Sequence, residues 1–317
     1  MLYQLSYTPA GDIKVTRRTF SKLCANRARS YRMKLMRMPT KALLIGLSAA
    51  ILLGGCKPKP PSGIKFVPQV HTVASLCPSA AELLSLGNPK IVGISTHTNF
   101  PATLKNIDFV ADVKPDYEKL AALKPDVIVY DPAVYNANDI AKLKQLKSTL
   151  VPIEGDTVEE FVKSVYRLGQ AIQSETSLLD YIYRLEQEVN VCRANPLTPA
   201  PKTAIVMADP TTAPRVAGTK SFYCDLVRVA GGEPVGPATN DFSTMNPEAL
   251  LALNPDVIIL PLGKGEDTNF MSDPRFAQLK AVKTQHVRIM DADYLLRRGE
   301  RADEALKQLH DMFIKLK

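Results

Sequence analysis

The stretch Glu118-Lys-Leu-Ala-Ala-Leu-Lys-Pro-Asp-Val-Ile-Val129 returns later in the chain as Glu248-Ala-Leu-Leu-Ala-Leu-Asn-Pro-Asp-Val-Ile-Ile259, at a constant offset of 130 residues. In each copy a capping residue, Asp116 or Asn246, precedes a short helix that buries a leucine pair three apart, Leu120/Leu123 or Leu250/Leu253. Pro125 and Pro255 then end the helix. The apolar runs that follow, Val127–Tyr130 and Val257–Leu260, read as strands covered on both faces, as in parallel sheets. Two copies at so long a period mean two related lobes rather than a solenoid.

The flanking sequence agrees. Strand Thr72–Leu76 runs toward a helix whose Ser79 and Glu82 have capping-box spacing and which Gly87 closes. Strand Ile91–Ile94, helix Asp139–Leu146 and strand Thr149–Ile153 complete the first lobe. In the second, strand Ala204–Met207 leads through a long loop to helix Phe222–Ala230, closed by Gly231-Gly232. Strand Val287–Met290 and helix Ala302–Ile314 end the chain's pattern. Between the halves, Val158–Ile172 and Ser177–Cys192 carry no strand signal, and Leu178, Ile182, Leu185 and Val189 form a helical stripe. The fold class expected is therefore α/β: two related lobes with parallel sheets covered by helices, joined by a long connecting helix, with a ligand cleft between them. Such a connector limits hinge motion.

The amino terminus carries an apolar run, Ala42–Leu53, preceded by Lys34, Arg37 and Lys41 and followed by Gly54-Gly55-Cys56. This is the pattern of a secretory signal with a lipoprotein cleavage site, and Cys56 would become the lipidated first residue. Met33 or Met36 would then be the true start. Residues 1–55 hold ten Lys/Arg and one Asp, so 30 basic and 31 acidic residues remain of 40 and 32, and the formal charge of +8 disappears. A near-neutral chain has no electrostatic footprint for nucleic acid. The organisation expected is 1–55 upstream extension and signal, 56–69 lipidated tether, 70–156 first lobe, 157–196 connecting helices and 197–317 second lobe. The tether reading rests on Lys57-Pro-Lys-Pro-Pro61.

Three cysteines remain after the signal, Cys77, Cys192 and Cys224, with no CxxC pair; one disulfide would leave a thiol over, and buried, inert thiols are the default. The four histidines, His71, His97, His286 and His310, are too scattered for a bare metal ion, so no metal or cofactor is expected. No GxSxG, P-loop, GxGxxG or HExxH points to an enzyme, and nothing in the spacing of Asp112, Asp131 and Asp209 demands a catalytic cluster.

Ser75-Leu-Cys-Pro-Ser-Ala-Ala-Glu-Leu-Leu84, Gly93-Ile-Ser-Thr-His-Thr-Asn-Phe-Pro101, the two Pro-Asp-Val-Ile copies, Ala230-Gly-Gly-Glu233 and Leu296-Arg-Arg-Gly-Glu-Arg301 together resemble the helical-backbone substrate-binding proteins of ABC importers for cobalamin, iron-siderophores and haem. The resemblance covers roughly Val73 to Phe313 and is nearest the cobalamin-binding members. It implies a monomeric, lipid-anchored extracytoplasmic receptor, not an enzyme, for a corrinoid, with an iron-siderophore or haem as the alternative. It implies ligand contacts at Cys77, Pro78, His97, Phe100, Asp131 and Tyr135 in the first lobe, and at Arg215, Phe242, Tyr294 and Arg297 in the second. Aromatic faces would stack on a flat macrocycle, and the arginines would answer its anionic oxygens. The chain has no tryptophan, common in the cleft of cobalamin binders, and Phe242 and Tyr294 would stand in for it. Glu118 and Glu248 match the pair of glutamates that dock on the permease; in the first turn of a helix each also complements the macrodipole by about 0.3–1 kcal/mol.

Overall fold

A computed structural model of the chain describes residues 4–7, 13–16, 69–208, 212–266 and 268–316. The expected signal sequence, Cys56, the tether and Asp209 lie outside them. In the unit Met1–Phe66 the described residues are two antiparallel strands, β1 (Gln4–Tyr7) and β2 (Ile13–Thr16).

Within the unit Val67–Lys317, the duplicated sequence folds twice in the same way. Asp116 caps α2 (Tyr117–Leu123) by accepting from the Lys119 amide, and Asn246 caps α7 (Pro247–Leu253) by accepting from the Ala249 amide. Each proline bars the residue before it from the right-handed helix, so Lys124 (φ 48°) and Asn254 (φ 44°) turn left-handed and return their amides to Leu120 and Leu250. The strands β6 (Val127–Tyr130) and β12 (Val257–Leu262) follow. Even their register is duplicated: β3 (Thr72–Ser75) pairs Val73 with Val127, and β8 (Lys202–Met207) pairs Thr203 with Val257, both partners moved by 130. The aspartate of each Pro-Asp ties the start of that neighbouring strand. Asp126 accepts from the His71 and Thr72 amides at 2.8 Å each, and Asp256 from the Lys202 amide at 2.9 Å.

The first sheet is parallel throughout, in the order β5-β4-β3-β6-β7, with β4 spanning Lys90–Ser95, β5 Phe109–Ala111 and β7 Thr149–Pro152. Helices α1 (Pro78–Gly87) and α3 (Ala137–Leu143) belong to it. The second sheet is mixed, in the order β11-β9-β8-β12-β13: β9 (Arg215–Val216) and β11 (Ser243–Thr244) run antiparallel, whereas β13 (Val287–Asp291) and the short β10 (Glu233–Pro234) are parallel to their neighbours. Its helices are α6 (Phe222–Val229), α7, α8 (Lys280–Lys283), α9 (Ala292–Leu295) and α10 (Ala302–Ile314).

Two helices join the lobes, α4 (Val158–Ala171) and α5 (Glu175–Ala194). The expected stripe on α5 is buried, and its residues lie in one hydrophobic core with Val73 and Leu83 of the first lobe and Val257 and Phe313 of the second. Each sheet turns its other face to a core of its own. None of the helices among the described residues is long and apolar enough to cross a membrane.

The start of α1 departs from expectation. Cys77 occupies the N-cap position and Pro78 the first turn, so Ser79 and Glu82 form no capping box. Proline is pre-organised for that first turn and sets the boundary earlier. Gly87 is the last helical residue rather than the left-handed one, which is Asn88 (φ 51°). Gly87 is there for closeness: a Cβ would lie 2.8 Å from Ile172 Cδ1.

Candidate functional site

Parallel strands deliver their carboxyl-end loops to one edge of each sheet, which is where α/β folds place ligands. In the first lobe these loops are Thr96–Pro101 after β4, Asp131–Tyr135 after β6 and Glu154–Asp156 after β7. Facing them from the second lobe are α9 and the Arg297–Arg301 segment, which carries three arginines into the first lobe.

Those arginines form a clasp. Glu82, fully buried in α1, accepts from Arg301 Nη2 at 2.6 Å and from Arg297 Nη1 at 3.0 Å. Arg297 also donates to Asn99 Oδ1 at 2.7 Å and pairs with Asp293 Oδ1 at 2.6 Å, while Asn99 Nδ2 donates to Asp293 at 2.7 Å. Arg298 donates to Asp131 at 2.6 Å and to the Gly155 carbonyl at 3.4 Å. Gly299 permits the approach, since a Cβ there would meet Glu82 Oε2 at 2.6 Å. The Arg301 guanidinium lies 4.7 Å from the ring centres of both Phe100 and Tyr294, one aromatic from each lobe. Asn240 and Asp156 add a further hydrogen bond between the lobes.

The expected ligand contacts therefore separate. Phe100 and Tyr294 come together across the cleft, half-buried, with Arg301 between them. Phe242 and Arg215 form a second group: the exposed guanidinium lies 5.8 Å from the ring centre, and Tyr223 flanks the same ring at 5.4 Å. Tyr223, which sequence reasoning missed, lies close enough to Asp131 and Arg298 to feel both charges, and burial pushes its phenol up to about 12. His97 is exposed, its Nε2 held 3.0 Å from Asp112, whose carboxyl the Thr96 hydroxyl keeps below its ordinary range.

The other five expected contacts lie elsewhere. Arg297 and Asp131, expected to meet the ligand, are paired within the clasp. Cys77 is 5% exposed, and burial, with Asp131 nearby, pushes its thiol up to about 12. Tyr135 is buried too, its hydroxyl donating to the Leu76 carbonyl at 2.7 Å. Pro78 is half-buried in the first turn of α1. Cys77, Cys192 and Cys224 are all free, buried thiols.

At the ends of β6 and β7 a pocket of about 540 Å³ opens, lined among others by Asp131, Glu154, Asp156, Lys163, Arg167 and Arg298. Its charges are largely paired, Arg167 with Glu154 and Arg298 with Asp131. Among the described residues no group of three or more His, Cys, Asp and Glu could hold a metal ion. Glu118 and Glu248 sit at matching places, both exposed in the first turn of α2 and of α7.

Comparison with known proteins bears on this arrangement. The uncharacterised ABC transporter substrate-binding lipoprotein YvrC of Bacillus subtilis is 25% identical over 247 residues, covering 75% of this chain and 78% of its own. The high-affinity heme uptake system protein IsdE of Staphylococcus aureus is 30% identical over 241 residues, covering 71% of this chain and 81% of its own. The crystal structure of the periplasmic vitamin B12 binding protein BtuF of Vibrio cholerae superposes with a TM-score of 0.68 at 20% identity, over 78% of this chain and 97% of BtuF, a likeness of fold. The model of one family, described as periplasmic binding protein, matches residues 73–294, from the first strand of the first lobe to the Tyr294 that closes on Arg301. With two duplicated lobes, loops converging from both sheets and this match over most of its length, the chain belongs to the periplasmic binding protein family.

Proposed function

We propose that the protein is the extracytoplasmic receptor of an ABC importer and that its ligand is a metal tetrapyrrole, haem ahead of a corrinoid. The observation that carries this reading is the pairing of cations with aromatic faces on both sides of the cleft, Phe100/Arg301/Tyr294 and Tyr223/Phe242/Arg215. Flat rings suit a flat macrocycle. Arg215, exposed over Phe242, suits a peripheral carboxylate. IsdE, at 30% identity, is named for heme uptake, whereas BtuF at 20% speaks to the fold, and this puts haem first. Titrating the purified protein with haem, cobalamin and a panel of ferric siderophores tests the reading. Micromolar or tighter binding of a tetrapyrrole is expected; binding confined to siderophores, or silence, would overturn it.

Glu118 and Glu248 are the proposed permease contacts. Their equal placement gives two exposed carboxylates, one per lobe, which would guide docking and orientation more than affinity. Reversing both, Glu118→Arg with Glu248→Arg, is expected to abolish import while ligand binding persists; unchanged import would refute the role. Cys56, behind Leu53-Gly-Gly, is the proposed lipid anchor. Metabolic labelling with a fatty-acid analogue should mark the protein and fail on Cys56→Ser.

A further inference from the structure

We infer that the Arg297–Arg301 clasp is the device that positions the two lobes, so that Glu82 and Arg298 act as positioning residues for the cleft. This goes beyond the ligand reading and does not depend on it. The connecting helices share a core with both lobes, and Tyr181 of α5 donates to the Gly299 carbonyl at 2.8 Å, but apolar packing is non-directional and leaves the facing of the β4, β6 and β7 loops to polar contacts. The clasp acts at those loops. It reaches the β4 loop through Asn99, the β6 loop through Asp131, the β7 loop through Gly155 and α1 through Glu82.

Its chemistry suits registration more than stabilisation. A buried ion pair repays its desolvation only when geometry and hydrogen bonding are good, and it gains little over apolar packing of the same volume. What it does supply is a single arrangement: a fully buried carboxylate with two arginines admits no slipped alternative without leaving a charge unpaired. Arg301, anchored on Glu82 and sandwiched by Phe100 and Tyr294, transmits that arrangement to one aromatic on each side of the cleft. Glu82 and Asp293 balance Arg297 and Arg301, whereas Asp131 and Asp156 share the single charge of Arg298, with the neutral Asn240 amide bonded to Asp156.

The test is a distance measurement on the unliganded full chain. Spin labels carried on unnatural amino acids at exposed Lys144 and Lys283, one in each lobe, report the separation by pulsed electron paramagnetic resonance. The native protein should give one narrow distribution. Glu82→Gln, and independently Asp131→Asn with Arg298→Gln, should each broaden it about twofold while the circular dichroism stays that of a folded protein. If Glu82→Gln does not fold, the second variant, which lies nearer the surface, carries the test. A broad native distribution, or an unchanged width in a folded variant even with a lowered Tm, would overturn the inference.

Discussion

The two lobes are built alike up to the carboxyl ends of their strands and part company there. In the first, β3 ends at Ser75 and α1 begins at Pro78. In the second, β8 ends at Met207, and the chain turns back as antiparallel β9 before α6 begins at Phe222. That added chain brings in Arg215, and β11, paired with β9, follows directly on Phe242. The first lobe spends its short connection differently: α1, brought close behind β3, delivers Glu82 to the clasp. The duplicated part is scaffold, and what each lobe adds to it makes the site.

The largest effect should come from the element found in one lobe alone. Glu82→Ala leaves Arg297 and Arg301 without their buried counter-charge, and breaking such a pair from one side costs about 3–5 kcal/mol. Urea denaturation should show the midpoint falling with the slope unchanged. A cost below about 1 kcal/mol would mean that the arginines find other partners and that the lobes differ less than the geometry implies.

Which of these features could be read in the amino-acid order follows from the range of the interaction that makes them. The 130-residue repeat exposed both helix–strand units, because Asn or Asp caps, leucine spacing and Pro-Asp act within a dozen residues. The short pieces β5, β9, β10 and β11 escaped, since strands of two or three residues at a sheet margin carry no periodicity. Glu82 read as a cap because its distance from Ser79 is that of a capping box, whereas its true partners lie 215 and 219 residues away. For Arg297 and Asp131 the placement on cleft loops is legible, but their pairing with Asn99, Glu82 and Arg298 is set only by the fold. The cluster of three arginines in Leu296-Arg-Arg-Gly-Glu-Arg301 was the one available signal, since so many cations around a glycine call for buried acids nearby.

A smaller effect sharpens the likeness between the lobes. Asp126 and Asp256 do the same task, but Asp126 accepts from two amides and the Thr72 hydroxyl, and Asp256 from one amide and the Lys280 ammonium. Asp126→Ala should cost about 1.5 kcal/mol and Asp256→Ala about 1, the ammonium contact being half exposed and contributing little. The amide bonds hold the Asp126 carboxyl below its ordinary value; for Asp256, burial pushes the other way and is outweighed by the Lys280 and Lys202 bonds. Both groups therefore contribute stability that is present above the unfolded value of about 4 and lost as pH falls through the lower folded value. Asp126→Asn with Asp256→Asn should flatten the stability–pH curve there; a slope like that of the native protein would exclude these two groups as its source.

The smallest effect belongs to the most closely matched pair. Glu118 and Glu248 are exposed, occupy the same place after their caps and have no hydrogen bond or ion pair within the described residues. All that each contributes to its own helix is the macrodipole interaction, which at an exposed first turn is about 0.5 kcal/mol. Glu118→Gln and Glu248→Gln should therefore lower stability equally and by no more than that in thermal or urea unfolding. Equality is the informative part. If the carboxylates were retained for helix stability, α2, capped by Asp116 and already anionic at its start, would need Glu118 less than α7, capped by neutral Asn246, needs Glu248. Unequal costs would favour that local explanation, whereas equal and small costs leave two matched charges that the fold does not require, which is what a partner spanning both lobes would select.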